Sequence, residues 1–399
     1  MIPLVSDFFS THGYRQKDIE KAVIYESVMG LKETTRKRLC KQLRFRPNNV
    51  SDCIQELVDD NLVAFSNVVK NTHQGRPEVP IKGCPDRLVA ASVWIDANIL
   101  NSAIVDVEGN HSEICHIQVP EDASNALFMD TLIQMLTDLF SLIRDDQIIC
   151  GIGIALPGFV DSADCLWVFN ARFPNVRNLN FDRLKTLFQC PVSIHRLLDA
   201  QLDYLVLSDK SLRRKTVYLI HWGYGLGASL LADGKVLHSS VGSTFEIGHM
   251  KVSGLQDRIC TCGERGCLDT GASLQSLLPD LQSRFGEIPK NETEMGSFLS
   301  ERNVASIPSV ENAVHYLSIV LDNLYRMAFP DRVIVYGPML GNQEVRDMLL
   351  SAVMSRIPLY GKSHVEFTLS GTSLIDLNIH GNVMDLFDAK LKTMLVMRN

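Results

Sequence analysis

Apolar residues in the first sixty positions recur at the spacing of short helices. An apolar stripe over residues 19–28 predicts one amphipathic helix, and a second is predicted over 35–43. A third follows over 48–59, where Pro47 suits the first turn because the N–H that proline lacks would have no partner there. A turn at 44–46 separates the last two helices. This order predicts a helix-turn-helix.

Two short β-prone segments follow the third helix. Residues 62–69 and 78–81 are predicted as strands on either side of a turn at 71–76. A hairpin in this place would be the wing of a winged helix-turn-helix domain, which we place at residues 1–84.

From residue 87 onward, predicted strands alternate with predicted helices. The first group comprises strands at 88–94, 102–107, 114–119 and 148–156 and a helix at 126–143. The second group comprises strands at 217–221, 223–231, 235–238 and 332–336 and helices at 273–284 and 310–327. This repetition predicts a duplicated α/β domain at 85–399, with a small-molecule cleft between its two lobes.

Composition narrows the class of protein. Of the 399 residues, 46% are hydrophobic and 21% are charged, as in ordinary globular chains. The longest apolar stretch, 148–160, is too short for a membrane span and contains a proline. The N-terminus has no basic-then-apolar signal pattern, and the chain has ten cysteines. We therefore expect a cytoplasmic protein with no membrane partner.

The net charge of −7 is distributed unevenly along the chain. Residues 1–84 contain 13 basic and 10 acidic residues, a net of +3, which leaves −10 for the remainder. Seven of the basic residues lie between Lys32 and Arg46, with a single acid among them. Such asymmetry indicates a nucleic-acid-binding end, although a solvated helix face gives the same pattern.

Operator DNA is therefore the predicted partner of the N-terminal region. The helix at 48–59 would lie in the major groove, with its exposed early residues nearest the base edges: Asn48, Asn49, Ser51 and Asp52. A helix-turn-helix can also serve as a protein-contact or dimerisation module, which remains the alternative.

Basic residues near this helix would bind the DNA backbone. Arg36, Lys37 and Arg46 would neutralise phosphates, which adds affinity without sequence choice. Arg76 lies in a Gly-Arg-Pro run that resembles the core of an AT-hook, which places an arginine in a narrow minor groove. An ordinary wing turn is the alternative for this run.

One imidazole and three thiols form the sharpest chemical pattern. His249 is followed by Cys260, Cys262 and Cys267, so three of the ten cysteines fall within eight residues. One histidine and three cysteines make the closed tetrahedral ligand set of a structural zinc site. Two glycines between the last two cysteines allow the chain to turn back sharply. The alternative is a group of buried free thiols.

These residues also carry a family resemblance. The runs EIGH at 246–249 and CTCGERGCLD at 260–269 resemble the signature of the ROK family, which comprises sugar-responsive repressors and sugar kinases. IGIALPGFVD at 152–161 and the glycine-rich run 216–234 resemble further segments of that family. With the N-terminal helix-turn-helix, the chain resembles its repressor branch. The resemblance implies a two-lobed, actin-like (ribonuclease-H-like) fold of the sugar-kinase type.

The resemblance also implies a sugar site. In sugar-binding members, residues at the positions of Gly158, Glu246, His249 and Asp269 contact the sugar. Asp269 stands where the family usually has glutamate, so its carboxylate reaches about one methylene less far. Glu246 could instead have a capping or surface role.

The parts that transfer phosphate in ROK kinases are altered in this chain. Residues 96–100 read DANIL where the family has Asp-x-Gly-Gly-Thr, and 223–225 read Gly-Tyr-Gly in place of Gly-Thr-Gly. Arg196-Leu197 replaces the Asn-Asp pair that supplies the catalytic base, and a leucine side chain cannot accept a proton. Only a shifted register could bring Asp199 into that role.

The sequence therefore predicts a DNA-binding transcriptional regulator, a repressor, that responds to a sugar or sugar phosphate and has lost kinase chemistry. One structural zinc ion per chain and a homodimer or higher homo-oligomer are expected. The alternatives are an ATP-dependent sugar kinase and a regulator controlled by a protein partner. Because the missing Asn-Asp pair also contacts sugar in the family, the pocket could be altered or vestigial.

Overall fold

The structure, a computed structural model, describes residues 6–66, 78–238, 245–362, 364–371 and 375–397. These residues form an N-terminal segment followed by two α/β lobes. No helix within these ranges is both long enough and apolar enough to cross a membrane.

The N-terminal segment consists of four helices and a small antiparallel sheet. Its elements are α1 (Ser6–Thr11), α2 (Gln16–Gly30), β1 (Thr34–Thr35), α3 (Arg36–Leu43), α4 (Pro47–Asp59), β2 (Val63–Phe65) and β3 (Pro80–Gly83). The strand order is β1-β3-β2. Thr35 begins α3 because its hydroxyl accepts a hydrogen bond from the Arg38 N–H, and Arg44 ends α3 in a left-handed conformation. The three predicted helices are present, and the predicted wing turn, including Arg76, lies outside the described residues.

The first lobe is built on a five-stranded sheet. Its elements are β4 (Leu88–Asp96), β5 (Ile99–Asp106), β6 (Cys115–Gln118), α5 (Asn125–Phe140), β7 (Ile148–Leu156), β8 (Phe159–Asp161), β9 (Leu166–Phe169), β10 (Arg177–Asn180), α6 (Asp182–Phe188) and β11 (Val192–Arg196). The sheet order is β11-β7-β4-β5-β6, and β8, β9 and β10 form a separate antiparallel sheet. Helix α5 buries Phe128, Leu132 and Leu136 in the core of this lobe.

The rest of the chain forms the second lobe and then returns to the first. Its elements are α7 (Leu197–Ser208), β12 (Val217–Trp222), β13 (Leu226–Ala232), β14 (Lys235–Val236), α8 (Asp269–Ala272), α9 (Leu274–Phe285), α10 (Glu292–Ser300), α11 (Pro308–Ala328), β15 (Arg332–Tyr336), α12 (Gln343–Arg356), α13 (Leu359–Lys362), β16 (Glu366–Ser370), α14 (Ile375–Gly381) and α15 (Met384–Met394). The last two helices pack against β4 and neighbouring strands of the first lobe.

The two sheets have the same topology. In the second lobe the order is β14-β13-β12-β15-β16. In each sheet the first strand pairs antiparallel with the second, which pairs antiparallel with the third, and the first also pairs parallel with the fourth. The duplicated α/β architecture predicted from the strand pattern is confirmed.

Several elements escaped the sequence pattern. Helix α7 buries the polar side chains of Asp199 and Gln201 together with Leu198 and Leu202, so its buried face does not show an apolar stripe. The strands β8, β9 and β10 have three or four residues each, too few for a clear alternation. The glycine-rich strand predicted from residue 223 begins at Leu226, because residues 223–225 form a turn.

The N-terminal segment and the C-terminal helix share one hydrophobic core. Side chains of α2 and α4 pack with those of β4 and α15, so the core runs from one end of the chain to the other. Lys21 is fully buried at this junction, and its Nζ lies 2.9 Å from Glu56 Oε2, 3.6 Å from Asp60 Oδ2 and 3.1 Å from the Met394 carbonyl oxygen. Asp18 accepts a hydrogen bond from the Met397 N–H at 2.8 Å.

Replacement of Lys21 by methionine tests this junction. Removing one partner of a buried ion pair leaves uncompensated charge, so we expect Lys21→Met to lower the free energy of unfolding by about 3 kcal/mol. Lys17→Met, on the exposed face of α2, is the matched control and should be nearly neutral. Urea and thermal unfolding of both variants provide the measurement. Equal stability of the two variants would show that the Lys21 contacts do not hold the segment in place.

Candidate metal centre and ligand cleft

A cavity of about 830 Å³ lies between the two lobes. The carboxyl ends of several strands open into it: Asp96 ends β4, Arg196 ends β11, and His221 lies near the end of β12. Ligands in α/β sheets bind outside the carboxyl ends of the strands, and this volume is in the range typical of small-molecule sites.

The predicted metal ligands converge beside this cleft. The ligand atoms of His249, Cys260, Cys262 and Cys267 all lie within 4.8 Å of one another. His249 Nδ1 lies 3.6 Å from Cys260 Sγ, and the sulfurs of Cys262 and Cys267 are 3.8 Å apart. Two thiolates about 2.3 Å from a tetrahedral ion would lie about 3.8 Å apart, and a thiolate and an imidazole nitrogen about 3.6 Å apart. The four residues therefore fit a tetrahedral metal ion.

Local backbone structure explains how these side chains meet. His249 ends a short 3₁₀ helix, Ile247–His249, which presents its ring to the loop that carries the cysteines. That loop is closed by a hydrogen bond from the Cys260 N–H to the Glu264 carbonyl oxygen at 2.8 Å. Gly263 has φ 90°, a conformation that disfavours residues with a side chain. The turn lets three cysteines that are only two to seven positions apart in sequence direct their sulfur atoms toward one ion.

The structure brings all four predicted sugar-site residues to the cleft: Gly158, Glu246, His249 and Asp269. Gly158 has φ 80°, and a Cβ atom there would lie 2.5 Å from the Phe169 carbonyl oxygen, so the position requires glycine. Asp269 begins α8 and accepts a hydrogen bond from the Leu226 N–H at 2.9 Å. Burial raises the pKa of Asp269 to about 6.

Arg196 is a cleft residue to which sequence reasoning gave no binding role. Its side chain is almost fully buried, and its guanidinium donates to Asp199 at 3.1 Å and to the Ala228 carbonyl oxygen at 2.9 Å. A second nitrogen lies 3.4 Å from Glu246 Oε1. In the sequence, Arg196 is noticeable because Arg196-Leu197 stands in place of the Asn-Asp pair of the family. Only the fold shows that Arg196 contacts Glu246.

A second group of carboxylates in the cleft comprises Glu292 and Asp96. Glu292 Oε1 accepts a hydrogen bond from the Tyr224 N–H at 2.8 Å, and its Oε2 lies 2.6 Å from His221 Nε2. Burial alone would lower the pKa of His221, but the Glu292 carboxylate raises it overall. Burial, with Glu292 nearby, raises the pKa of Asp96 to about 7. The Arg172 guanidinium stacks 4.2 Å from the centre of the Tyr224 ring.

The predicted phosphate contacts lie on the exposed surface of the N-terminal segment. Arg36 and Lys37 are exposed at the start of α3, and Arg46 is exposed immediately before α4. The Arg36 guanidinium lies 5.2 Å from the centre of the Phe65 ring, and Lys37 Nζ lies 3.2 Å from Glu78.

The predicted base contacts differ in their exposure. Asn48 is exposed on α4, and Ser51 is half-buried on the same helix. Asn49 is half-buried, and its side-chain amide donates to Glu20 at 2.9 Å. Contact of these residues with DNA remains a prediction, but the Asn49 donor already has a partner within the protein.

The fold is that of a two-lobed α/β protein with a cleft between duplicated sheets. The sequence model of the ROK family matches residues 92–370, about two thirds of the chain. The chain belongs to the ROK family.

Among its relatives is the xylose repressor of Caldicellulosiruptor bescii, which is 26% identical over 275 residues. That match covers 66% of this chain and 65% of the repressor. The xylose repressor of Bacillus spizizenii is 21% identical over 354 residues, covering 87% of this chain and 90% of that protein.

Solved structures of ROK proteins share the fold. A ROK family transcriptional regulator, described as a homolog of the E. coli MLC protein, superposes with a TM-score of 0.73 at 19% identity and covers 95% of this chain and 99% of its own. A ROK family glucokinase from Streptomyces griseus, solved with glucose and AMPPNP, gives a TM-score of 0.58 at 18% identity over 75% of this chain and 98% of its own. The two-lobed, actin-like fold is thereby confirmed.

Replacement of a cysteine tests the metal centre. We expect one metal ion per chain in the purified protein, and Cys267→Ser should reduce this content and lower the melting temperature because a closed site stabilises its loop. Cys115→Ser, at an exposed cysteine outside the cluster, should leave both unchanged. Elemental analysis and thermal unfolding check this. A full metal content in Cys267→Ser would contradict the assignment of the ligands.

Proposed function

We propose that this protein is a DNA-binding transcriptional repressor whose affinity for its operator is controlled by a sugar. The observation that carries this is that one chain joins an N-terminal segment of short helices, with exposed basic side chains, to a cleft between the two lobes of a ROK family protein. Two relatives are named xylose repressors, which supports a role in repression and makes D-xylose the first sugar to test. We also propose a domain boundary near residue 85, between an N-terminal DNA-binding domain and a C-terminal sugar-binding domain.

We assign zinc to the metal centre. Three thiolates and one imidazole favour zinc among the common divalent ions, because thiolate ligands select against magnesium and calcium. Four protein ligands leave no coordination position for water, so the ion has a structural role. When bound, zinc would hold His249 by Nδ1 and leave the other ring nitrogen to face a ligand.

The cleft residues suit a neutral sugar. Glu246 and Asp269 would accept hydrogen bonds from sugar hydroxyl groups, and His249 would donate one. Gly158 would let the backbone approach the ring. Six carboxylates line the cleft against three guanidinium groups: Asp96, Glu121, Asp122, Glu246, Asp269 and Glu292 against Arg172, Arg196 and Arg258. Because like charges repel, this excess favours a neutral sugar over a sugar phosphate.

The same residues disfavour kinase chemistry. Arg196 carries only donors, so it cannot accept the proton of a sugar hydroxyl. The Tyr224 N–H lies in the turn that resembles a phosphate loop, and Glu292 already accepts its hydrogen bond. A nucleotide phosphate there would face the Glu292 carboxylate. Sugar-dependent ADP release that is lost in Asp199→Asn would contradict this part of the proposal.

The repressor would act in the cytoplasm as a homodimer or larger homo-oligomer. Two winged helices related by a two-fold axis would read two operator half-sites, and their spacing would follow from the dimer geometry. A sugar that binds one arrangement of the lobes more tightly would shift the population toward it and so change the DNA affinity.

DNA-binding measurements test the proposed DNA-binding role of the N-terminal segment. We expect the protein to bind the promoter region of its own gene more tightly than random DNA, with an affinity that falls as salt rises. Arg46→Ala should weaken binding to all sequences and reduce the salt slope by about one. Lys210→Ala, an exposed change in the second lobe, is the matched control. Equal, salt-independent affinity for both DNAs would contradict a DNA-binding role.

The response to sugar is measured on the same complex. D-xylose and other neutral sugars should change the DNA affinity at least fivefold, the lower end of typical allosteric coupling. Asp269→Asn should lose this response while it keeps DNA binding, whereas Asp233→Asn, in the exposed β13–β14 turn, should behave as wild type. A panel of sugars that shifts neither the DNA affinity nor the melting temperature would contradict sugar control.

A further inference from the structure

The face of α4 that would enter the major groove has an unusual charge. Residues 47–59 include no lysine or arginine, although seven basic residues lie between Lys32 and Arg46. We propose that Asp52, at the centre of this face, selects a cytosine in each operator half-site through its N4 amino group. This assignment rests on the DNA-binding role proposed above and adds a base preference to it.

Burial along α4 defines which side chains are available to DNA. Val50, Cys53, Ile54 and Leu57 are buried in the core of the N-terminal segment. The exposed residues of α4 beyond its first position lie on the opposite face: Asn48, Asp52, Gln55 and Asp59. Their spacing of three or four positions places them in one stripe along the helix.

Contacts within the protein reduce this set further. Glu56 is held by Lys21 at 2.9 Å. Gln55 donates its side-chain amide to Asp59 at 2.8 Å, one helical turn away. Among the described residues, none forms a side-chain hydrogen bond or an ion pair with the Asp52 carboxylate. Asn48 and Asp52 are therefore the exposed side chains in the first half of α4, which is the half of a recognition helix that meets base edges.

The chemistry of a carboxylate restricts the base it can contact. A carboxylate only accepts hydrogen bonds, and phosphates repel it, so Asp52 cannot serve as a backbone contact. In the major groove, guanine and thymine present acceptors at the positions that distinguish them, whereas cytosine presents only its N4 donor. Adenine has a donor, but its N7 acceptor lies beside it and disfavours a carboxylate. Cytosine is the base that matches.

The distribution of basic residues over the surface of the N-terminal segment agrees with this assignment. The basic side chains of α3 and of the turn before α4 are exposed and can neutralise phosphates: Arg36, Lys37, Arg38, Lys41, Arg44 and Arg46. Because α4 lacks a basic residue, it cannot form the bidentate contact of arginine with guanine. Its base contacts are left to amides, a hydroxyl and one free carboxylate.

In vitro selection from a pool of randomised duplex DNA tests the role of Asp52. The full-length wild-type chain should enrich a motif with one cytosine per half-site, and replacing that base pair should weaken binding about tenfold. Asp52→Ala should lose this preference at that position alone and bind random DNA more tightly, because a repelled carboxylate is gone. Asp52→Asn should prefer adenine there. Asp59→Asn, on the same face two turns further along, should select the wild-type motif.

The outcomes separate this assignment from the proposed function. An unchanged motif in Asp52→Ala overturns the role of Asp52 and leaves the DNA-binding role intact. A wild-type chain that enriches no sequence and shows no salt-dependent binding overturns both. Melting temperatures equal to wild type in the Asp52 variants establish that the changes act at the surface and not through folding.

Discussion

The buried ammonium group of Lys21 ties the N-terminal segment to the C-terminal helix. A charge withdrawn from water is tolerated only where partners surround it, and here three partners come from two distant parts of the chain. Glu56 and Asp60 lie on or just after α4, and the Met394 carbonyl belongs to the C-terminal helix. Because α15 packs on β4 and β7, the orientation of α4 is fixed relative to the first lobe. Movement of the first lobe would therefore carry α4 with it.

The metal centre imposes a similar constraint on the cleft. His249 lies both in the ligand cluster and in the cleft wall, so the group that would hold the ion also shapes the ligand site. Asp269 follows Cys267 by two residues and begins α8, which ties the position of its carboxylate to the same loop. A structural ion of this kind would act on ligand binding by fixing side chains, without taking part in any reaction.

Two groups of charged side chains shape the cleft. Arg196 holds Asp199 and Glu246 in an ion-pair network at the end of β11. Glu292 accepts a hydrogen bond from the Tyr224 N–H, and its Oε2 lies 2.6 Å from His221 Nε2. Both groups contribute side chains to the cavity lining, so a ligand in the cleft would meet protein charges that already have partners.

The sequence by itself determined the helices of the N-terminal segment, the repeated strand pattern of the two lobes and the candidate metal ligands, because these depend on local spacing. Apolar periodicity identified α4 and α5, and His249 with its three cysteines was recognisable from ligand types alone. Only the tertiary structure decided which polar groups are free. Asn49, Glu56 and Arg196 gain their partners from segments 29 to 50 residues away, and no local pattern encodes such contacts. A buried polar group requires a hydrogen-bond partner. Only the folded chain brings the distant segments that supply these partners close enough to make the contacts.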